Sequence, residues 1–319
     1  MPKVSVIIPI YGVEKYIERC ARSLFEQTLD DIEFIFIDDC TQDDSMSLLE
    51  KEINNNHTRI ATKNWIVRTE RMPTNSGQAA VRRHGIQLAT GDYIIHCDSD
   101  DWVTGDYCEE LYTRAVADNA DLVICDYYKD DGAGKNGVEK AMLCSVLEKD
   151  LFRQALLQKV GASVWNKLVK RDIVMKDEIV YARANMGEDY VLTIQYMYYS
   201  KHISYVEKPL YYYFFNENSI TKSVSEEKIY YRFNQSIENM GAVMQFMRNE
   251  ALEKMYTNEL DKMKLAKKNN LLPIISKNKY YDIWLETFPE IKFRLFWNRC
   301  LTISEKVKYA LILTRIIRH

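Results

Sequence analysis

Short apolar runs alternate with amphipathic stretches through the first 126 residues of the chain. Five of these runs are strand-like, and they lie at residues 3–11, 33–39, 65–70, 93–97 and 121–125. Between the first two, apolar residues recur at positions 13, 17, 20 and 24, which share one face of a helix. Strands that alternate with helices in this way predict an α/β fold with a mostly parallel sheet that helices cover on both faces.

The pattern changes after residue 126. A loop rich in Gly, Lys and Asp at 129–137 is the clearest break in the chain. A helix is predicted at 146–159, and a strand of stacked tyrosines is predicted at 209–216. From residue 225 onward the apolar spacing predicts a largely helical region.

Composition and charge argue against several functional classes. The 319 residues carry a formal net charge of −3, which argues against a general nucleic-acid binder. The seven cysteines are scattered and none forms a C-x-x-C pair, so neither a zinc site nor a redox dithiol is predicted. The N-terminus enters a strand-like run at once, without the features of a signal peptide, and no apolar run is long enough to span a bilayer. We therefore expect a cytoplasmic protein.

The stretch "GDYIIHCDSDDW" (91–102) places Asp98, Asp100 and Asp101 directly after the fourth predicted strand. Ligands bind α/β sheets outside the carboxyl ends of the strands. The cluster is open to three interpretations: a solvated acidic turn, an N-cap for the next helix, or a divalent cation site. Taken alone, the first two are the commoner outcomes. The third follows from the preference of Mg²⁺ and Mn²⁺ for oxygen ligands shared with substrate phosphates.

Polar residues also follow the second and third predicted strands. Asp39 is placed to accept a hydrogen bond from a base or a ribose hydroxyl, whereas Asp43 is placed to cap the next helix. Arg82 and Arg83 are adjacent in a predicted helix, so their side chains point to different faces. One could reach a diphosphate while the other meets solvent, although an arginine pair on a helix is commonly just solvated surface.

Four motifs in order resemble those of family 2 inverting glycosyltransferases, bacterial enzymes of the GT-A fold that build polysaccharides and glycoconjugates. They are "VSVIIPIYGVEKYIERCARSLFEQT" (4–28), "EFIFIDDCTQDDS" (33–45), "NSGQAAVRRHGIQLATGDYIIHCDSDDW" (75–102) and "GED" (187–189). The resemblance implies a GT-A-type, Rossmann-like, mostly parallel sheet with flanking helices, followed by a helical C-terminal region. The implied domains are a glycosyltransferase domain at 1–225, with a nucleotide-sugar half at 1–126 and an acceptor half at 127–225, and a helical region at 226–319.

The resemblance also assigns roles to individual residues. Nucleotide-sugar contacts fall on Pro9, Tyr11, Asp39, Asn75, Arg82, Asp98 and Ser99. In the D-x-D signature, Asp98 contacts ribose or metal and Asp100 binds Mn²⁺ or Mg²⁺, while Asp101 supports the loop or touches the donor sugar. The catalytic base falls on Asp189 at a predicted helix start, with the adjacent Glu188 as its rival. A capping acid is the alternative for Asp189.

Three further residues carry expectations from the same comparison. On the acceptor side, Trp165 could stack on a sugar ring or pack in the core, and Lys167 could meet a phosphate. Cys40 stands where the family commonly has glycine, so it must accept a turn conformation that glycine adopts more easily.

Together these features predict a metal-dependent inverting enzyme that moves a hexosyl or N-acetylhexosaminyl group from a nucleotide-sugar, expected to be a UDP-sugar, to an acceptor hydroxyl. The resemblance implies a glycan or lipid-linked acceptor in bacterial polysaccharide, lipopolysaccharide or capsule assembly. A sugar-phosphate nucleotidyltransferase is one alternative, but it would need a glycine-rich loop after the first strand, where only Gly12 occurs. An inactive nucleotide-binding assembly partner is another. Asp39, Asp98, Asp100 and Asp189 argue against it, because an inactive copy need not keep all four.

The end of the chain is basic. Residues 291–319 contain seven Lys or Arg against one Glu. Val307, Ala310, Leu311 and Ile317 are predicted near one helical face, flanked by basic side chains. Such a helix can lie in an anionic membrane interface, which would place the protein on the inner face of the cell membrane. The alternative is a final helix that packs on its own domain with a solvated basic edge.

Overall fold

The computed structural model describes residues 1–130, 136–142, 150–214 and 225–315, and in these ranges nine strands form one sheet. The strands are β1 (Val4–Ile10), β2 (Ile32–Asp38), β3 (Ile66–Arg71), β4 (Tyr93–His96), β5 (Trp102–Val103), β6 (Leu122–Asp130), β7 (Asn136–Glu139), β8 (Lys167–Lys170) and β9 (Ile203–Phe214). Their order is β3-β2-β1-β4-β8-β6-β9-β5, and β7 pairs with β6. The predicted α/β fold is confirmed.

The described ranges also contain thirteen α-helices. They are α1 (Ile17–Phe25), α2 (Ser45–Asn55), α3 (His57–Thr62), α4 (Gln78–Leu88), α5 (Tyr107–Ala117), α6 (Leu151–Leu156), α7 (Arg171–Val174), α8 (Glu188–Tyr199), α9 (Glu226–Asn249), α10 (Thr257–Lys268), α11 (Asn278–Glu286), α12 (Arg294–Trp297) and α13 (Ile303–Leu313). Two 3₁₀ helices occupy Asn269–Ile274 and Pro289–Ile291.

The first four strands are parallel, as the alternation of strands and helices predicts. β1 pairs with β2 on one side and with β4 on the other, and β2 pairs with β3. β8, where the sequence pattern indicates no strand, is antiparallel to both β4 and β6 and so joins the two halves of the sheet. Because parallel strands end at the same edge, the carboxyl ends of β1, β2 and β4 lie together.

Alternate residues of β1 and β2 pack into cores on opposite faces of the sheet. Ile7 and Ile37 belong to one buried cluster together with Val81 of α4. Ile8 and Phe36 belong to the cluster on the opposite face, which includes residues of α1 and α5. Burial on both faces explains why these strands appear in the sequence as continuous apolar runs.

The turn after β2 contains a residue in a strained conformation. Cys40 has φ +60°, in the left-handed region, which confirms that it takes a conformation favoured by glycine. Left-handed backbone costs a residue with a Cβ about 1–2 kcal/mol. The Cys40 thiol donates to the carbonyl oxygen of Met72 at 3.0 Å, which offsets part of that cost.

The region beyond residue 225 is helical in its described part, as predicted. α9 and α10 contribute Met240 and Leu260 to the same buried cluster as Ile7 of β1 and Ile194 of α8. A separate cluster around Trp284 joins α11, α12 and α13 to Phe233 of α9 and Leu265 of α10. The first two C-terminal helices therefore share one core with the sheet and a second core with the later helices.

Several sequence predictions fall partly outside the described residues. Residues 131–135 of the predicted loop at 129–137 lie outside the described ranges. The same is true of residues 146–149 of the predicted helix at 146–159 and of residues 215–216 of the predicted strand at 209–216. The described parts of the last two are α6 and the second half of β9. The division at residue 126 falls inside β6, and the boundary at residue 225 stays a prediction.

The last helix packs on the protein through a face other than the predicted apolar one. α13 faces the protein with Tyr309 and Ile312, whereas Val307 is 52% exposed, so the face at positions 307, 310 and 311 is not the one that packs on the domain, and its contact with a membrane stays a prediction. Residue 317 lies outside the described ranges. Tyr309 decides the orientation because its hydroxyl donates to the carbonyl oxygen of Lys292 at 3.1 Å and its ring contacts Trp284. No helix in the described ranges is long and apolar enough to cross a bilayer.

Candidate active site

Arg82 of α4 lies near the carboxyl edge of the sheet and joins three carboxylates. It is 1% exposed, and its Nη2 donates to Oδ1 of Asp98 at 2.5 Å. Its Nη1 contacts Oε1 of Glu188 and Oδ1 of Asp189. These acids come from the loop after β4 and from the first turn of α8, so one buried guanidinium holds two separate parts of the chain together.

The cluster carries more negative than positive charge. Three carboxylates share one guanidinium, and burial raises the pKa of Glu188 well above its ordinary value. Burial likewise raises the pKa of Asp98, against the attraction of Arg82. Oε2 of Glu188 is buried and has no hydrogen-bond partner among the described residues. The arrangement therefore favours the binding of a further cation or a proton.

Asp189 is the most accessible acid of this cluster. Its side chain is 25% exposed, compared with 20% for Asp98 and 4% for Glu188. It is the second residue of α8, which confirms the predicted helix start, and the N-cap residue is Gly187. The carboxylate of Asp189 contacts Arg82, and no side chain caps α8. Of the three acids, Asp189 is thus the one whose side chain is most open to solvent, and its role as the base stays a prediction.

Arg83 shows where the second arginine of the pair points. It is exposed, and its guanidinium lies 4.7 Å from the ring centroid of Tyr181. The expectation that the two arginines occupy different faces is confirmed. Arg82, one of the two candidates for a diphosphate contact, binds carboxylates in this structure, and its contact with a donor stays a prediction.

Tyr211 of β9 and Asp101 shape the loop after β4. The Tyr211 hydroxyl donates to Oδ2 of Asp101 at 2.7 Å and accepts from the backbone N–H of Asp98 at 3.0 Å. Oδ1 of Asp101 accepts from the backbone N–H of Phe214 at 2.7 Å. Asp101 is 1% exposed, so loop support is the role that its contacts favour. Sequence reasoning missed Tyr211, because it stands in a run of tyrosines that all carry the same packing signal.

Asp39 holds the loop that precedes α4. Its Oδ1 accepts from the backbone N–H of Ser76 at 2.7 Å, and its Oδ2 accepts from that of Gly77 at 2.8 Å. Gly77 has φ +81°, and a Cβ there would lie 2.3 Å from the side chain of Asn185, so the position requires glycine. The predicted contact between Asp39 and the nucleotide stays a prediction, since its carboxylate binds backbone groups here.

Asp43 lies one position before Asp44, the N-cap residue of α2, whose side chain makes no capping hydrogen bond. The carboxylate of Asp43 accepts from the backbone N–H groups of Ser45 at 3.2 Å and Glu14 at 3.0 Å. Asp43 therefore ties the turn after β1 to the start of α2.

The remaining predicted nucleotide contacts differ in accessibility. Tyr11 is 55% exposed and Asn75 is exposed, whereas Pro9 is half-buried and Ser99 is 5% exposed. Each of them lies close to the carboxyl end of β1, β3 or β4. The fold brings these residues to the same edge as the Arg82 cluster, and their contact with a donor stays a prediction.

Comparison with known proteins identifies the family. The sequence model of Glycosyl transferase family 2 matches residues 5–177. The chain belongs to this family. This glycosyltransferase is 31% identical over 267 residues to EpsH of Bacillus subtilis, an alignment that covers 82% of this chain and 73% of EpsH. Three other curated glycosyltransferases are longer, and the chain spans 32%, 63% and 64% of their lengths.

Solved structures with the same fold include two bound to nucleotide-sugars. S. aureus TarS 1–349, in complex with UDP-GlcNAc, matches with a TM-score of 0.62 and 16% identity over 98% of this chain and 91% of that chain. The mannosyltransferase PcManGT from Pyrobaculum calidifontis, in complex with GDP-Man and Mn²⁺, matches with a TM-score of 0.56 and 13% identity. The match covers 99% of this chain and 85% of that chain. At these identities the likeness establishes the fold, which is of the GT-A type.

The loop after β4 supplies oxygen ligands of the kind that divalent cations prefer. Asp98 and Asp100 lie two residues apart. Arg82 and Gln78 both donate to Oδ1 of the Asp98 carboxylate, Gln78 at 3.1 Å. In the described ranges, no three His, Cys, Asp or Glu side chains form a metal-binding group. Because Mg²⁺ is commonly held by one or two carboxylates together with substrate phosphates and water, the two aspartates fit such an ion.

Trp165 packs in the core of this glycosyltransferase. It is 5% exposed, its ring stacks on Tyr211 with centroids 4.2 Å apart, and Tyr127 meets it edge-on at 4.9 Å. Of the two alternatives for Trp165, the structure supports core packing and not stacking on a sugar, because neighbouring rings cover the side chain.

The side chain of Lys167 is also buried and bonded within the protein. It is 1% exposed, and burial lowers its pKa to about 7. Its Nζ donates to the carbonyl oxygens of Gly161 at 2.8 Å and Ser163 at 2.6 Å and to Oδ1 of Asn166 at 2.9 Å. All three donors of the ammonium group are used. The structure therefore contradicts the predicted phosphate contact, and Lys167 instead ties the preceding loop to β8.

Asn239 of α9, which sequence reasoning missed, holds the loop before α8. Its Oδ1 accepts from the backbone N–H groups of Arg183 at 2.9 Å and Ala184 at 3.1 Å. Its Nδ2 donates to the carbonyl oxygens of Ala184 at 2.7 Å and Met186 at 2.9 Å. The C-terminal region thus positions the segment that leads to Asp189. No local signal marks Asn239, since it is one polar residue in a long predicted helix.

Proposed function

We propose that this glycosyltransferase moves a sugar from a nucleotide-sugar donor to an acceptor hydroxyl with inversion of the anomeric centre. The observation that carries the proposal is the junction at Arg82, which binds both the D-x-D residue Asp98 and the accessible acid Asp189. The proposed donor is a UDP-sugar, which the complexes of TarS with UDP-GlcNAc and UDP support. The proposed transferred group is a hexosyl or N-acetylhexosaminyl unit.

Asp189 is the proposed general base. An acceptor hydroxyl is a poor nucleophile, so the carboxylate takes its proton as the oxygen attacks the anomeric carbon. The new C–O bond forms on one face of the sugar while the bond to the diphosphate breaks on the other. The nucleoside diphosphate leaves with the bonding electron pair. A single displacement through an oxocarbenium-like transition state inverts the centre.

A divalent cation, Mn²⁺ or Mg²⁺, is proposed at Asp98 and Asp100. When bound, it would neutralise the charge that grows on the leaving diphosphate. The excess of carboxylates around Arg82 supports this proposal, as does the Mn²⁺ in the PcManGT structure. The proposed nucleotide-sugar contacts remain Pro9, Tyr11, Asp39, Asn75, Arg82, Asp98 and Ser99.

The proposed product belongs to bacterial polysaccharide, lipopolysaccharide or capsule assembly, with a glycan or a lipid-linked acceptor. Membership of family 2 disfavours a sugar-phosphate nucleotidyltransferase. An inactive assembly partner is disfavoured because Asp39, Asp98, Asp100 and Asp189 are all present.

Titration calorimetry of UDP and GDP tests the donor site. We expect wild-type protein to bind UDP in Mn²⁺ and to lose affinity by about tenfold or more in EDTA, because the diphosphate then faces carboxylates without a cation. Asp100→Asn should weaken Mn²⁺-dependent UDP binding in the same way. Asp177→Asn, which alters an exposed aspartate that is not among the proposed donor contacts, is the control and should bind UDP as wild type does.

Each other outcome of this titration has a definite meaning. UDP binding that is unchanged in EDTA would contradict the cation proposal and leave the donor proposal standing. Binding of GDP alone would replace UDP as the donor nucleotide. If folded protein bound neither nucleotide, the UDP-sugar proposal would be wrong, and a donor with another nucleotide or an inactive assembly partner would take its place.

Exposed apolar side chains near the C-terminus support a proposed peripheral contact with the inner face of the cell membrane. Phe293 and Trp297, four residues apart at α12, are 70% and 85% exposed. Ile303 and Val307, four residues apart on α13, are 82% and 52% exposed. Residues 291–315 also contain six Lys or Arg against one Glu. Aromatic and aliphatic side chains flanked by basic ones are typical of helices that lie in an anionic membrane interface.

The double variant Phe293→Ser/Trp297→Ser should weaken binding to vesicles that contain phosphatidylglycerol by about tenfold or more, because each ring contributes about 1.5–3 kcal/mol when fully buried. Co-sedimentation with the vesicles measures this. Met255→Ser removes a side chain that is 74% exposed but lies outside this segment, so it is the matched control. Equal losses in both proteins, or no loss in the double variant, would contradict the proposed surface.

A further inference from the structure

A cavity of about 450 Å³ lies beside the start of α8. One wall is the loop before α8, at Met186 and Gly187. The other walls come from α9, the end of α10 and the 3₁₀ helix that follows, and they include Arg232, Lys267 and Asn270. Gly187 directly precedes Glu188 and Asp189, so the cavity wall reaches to within two residues of the proposed base. The roles assigned above make no use of this cavity.

Lys267 is the residue that suggests what the cavity binds. Its side chain is half-buried, and burial lowers its pKa. Its Nζ lies 5.2 Å from the ring centroid of Tyr190 and would lie 3.9 Å from a Cβ at Gly187. Among the described residues, no carboxylate forms an ion pair with Lys267, whereas Lys264 on the same helix pairs with Glu290 at 2.7 Å. An ammonium group withdrawn from water without an anion costs free energy that a bound anion would recover.

The neighbouring acids explain why a cationic cavity would be needed here. Glu188 and Asp98 lie beside the proposed base Asp189 at the Arg82 guanidinium, and these acids would repel an anionic acceptor. Lys267 at the adjacent cavity supplies positive charge that offsets this repulsion. Apolar atoms of the lining, which includes Ile229 and Pro273, would suit the organic part of such a molecule better than a free ion. The expected occupant is therefore an ester that carries a negative charge.

We propose that this cavity binds a phosphate ester carried by the acceptor, with Lys267 as a principal cationic contact. The proposal rests on the proposed function, because the acceptor hydroxyl must reach Asp189 while its phosphate lies in the cavity. The loop that separates the two is held by Asn239, so the base and the cavity wall keep a fixed relation to each other. The acceptor class is thus a phosphate-bearing lipid or a phosphate-bearing glycan.

Titration calorimetry with geranyl phosphate and with glycerol 3-phosphate tests the proposal. The protein is first saturated with UDP and Mn²⁺, so that phosphate contacts at the donor site are blocked. We expect at least one ester to bind wild-type protein, and Lys267→Gln to weaken it by about tenfold or more, as for the loss of a charge-assisted hydrogen bond. Lys267→Arg should retain the binding. Lys254→Gln, a change of an exposed lysine outside the cavity, is the matched control.

The ester that binds more tightly identifies the source of the phosphate. Tighter binding of geranyl phosphate would support a lipid-linked acceptor, and tighter binding of glycerol 3-phosphate would support a phosphate-bearing glycan. Three results would overturn the proposal: ester binding by Lys267→Gln that equals wild type, inorganic phosphate that binds as tightly as both esters, or glucuronate that binds more tightly than either.

The UDP titration separates this proposal from the proposed function. Lys267→Gln should bind UDP as wild type does, because the cavity does not include the D-x-D residues. If wild-type protein failed to bind UDP, the donor proposal would fail, and the ester titrations would be repeated without UDP. The difference in ester affinity between Lys267→Gln and Lys254→Gln would then still test the role of Lys267.

Discussion

Replacing Asp189 with asparagine should lower kcat for sugar transfer by about 10²–10⁴-fold, the range expected when a general base is removed. Asparagine keeps the size of the side chain and an oxygen that can accept from Arg82, so the cluster should keep its arrangement. The amide cannot take a proton from the acceptor hydroxyl. The affinity for UDP, measured by calorimetry on the same preparation, should change by less than about threefold, since the lost interaction acts in the transition state.

Two further variants distinguish Asp189 from its neighbour. Glu188→Gln should retain more transfer activity than Asp189→Asn, because the Glu188 side chain is 4% exposed and less accessible to an acceptor. Asp177→Asn, at an exposed position, should transfer sugar at the wild-type rate. Normal transfer by Asp189→Asn, or a larger loss in Glu188→Gln, would move the assignment of the base to Glu188.

Replacing Arg82 with methionine should lower the free energy of unfolding by about 3–5 kcal/mol, the range for breaking a buried ion pair by removing one partner. Without the guanidinium, Glu188 and Asp98 would remain in a buried site that lacks their cation. Transfer should be lost as well, because Arg82 joins the loop after β4 to the start of α8. Urea denaturation measures the stability, and initial rates of transfer measure the activity.

Arg83→Met is the matched control for this variant. Arg83 is the adjacent residue on the same helix, but it is exposed and lies over Tyr181, so its loss should change stability by no more than about 0.5 kcal/mol. The double variant Arg82→Met/Glu188→Gln should recover part of the lost stability, because it removes one of the uncompensated charges. If Arg82→Met were as stable as Arg83→Met, the ion cluster would not stabilise the fold.

The elements around the site could be predicted because their signals are local. β1, β2 and β4 are short apolar runs, and α4 follows a polar turn, so the periodicity alone indicates which residues follow each strand. This periodicity predicted that Asp39 and Asp98 lie at one edge of the sheet. The strain at Cys40 could also be predicted, because the family commonly has glycine at that position, and φ +60° confirms it.

The packing of single polar and aromatic residues could not be predicted in the same way. Trp165 and Lys167 stand in a segment whose sequence fits either a surface loop or a buried strand. The structure begins β8 at Lys167, between β4 and β6, and the rings of Tyr211 and Tyr127 cover Trp165, so both side chains are buried. Tyr309 likewise decided the orientation of α13, because it contacts residues outside the helix. The spacing of apolar residues within the helix does not reveal such contacts.

The sequence by itself determined the α/β fold, the order of the first four strands along the chain and the residues at their carboxyl ends, because apolar periodicity and turn residues act over a few positions. Tertiary structure alone decided which partners those residues meet. Arg82 and Asp189 lie 107 positions apart, and Asn239 meets Ala184 across 55 positions, distances over which no periodic pattern carries information. The same holds for Lys267, which reaches the loop before α8 only because α10 shares a core with the sheet.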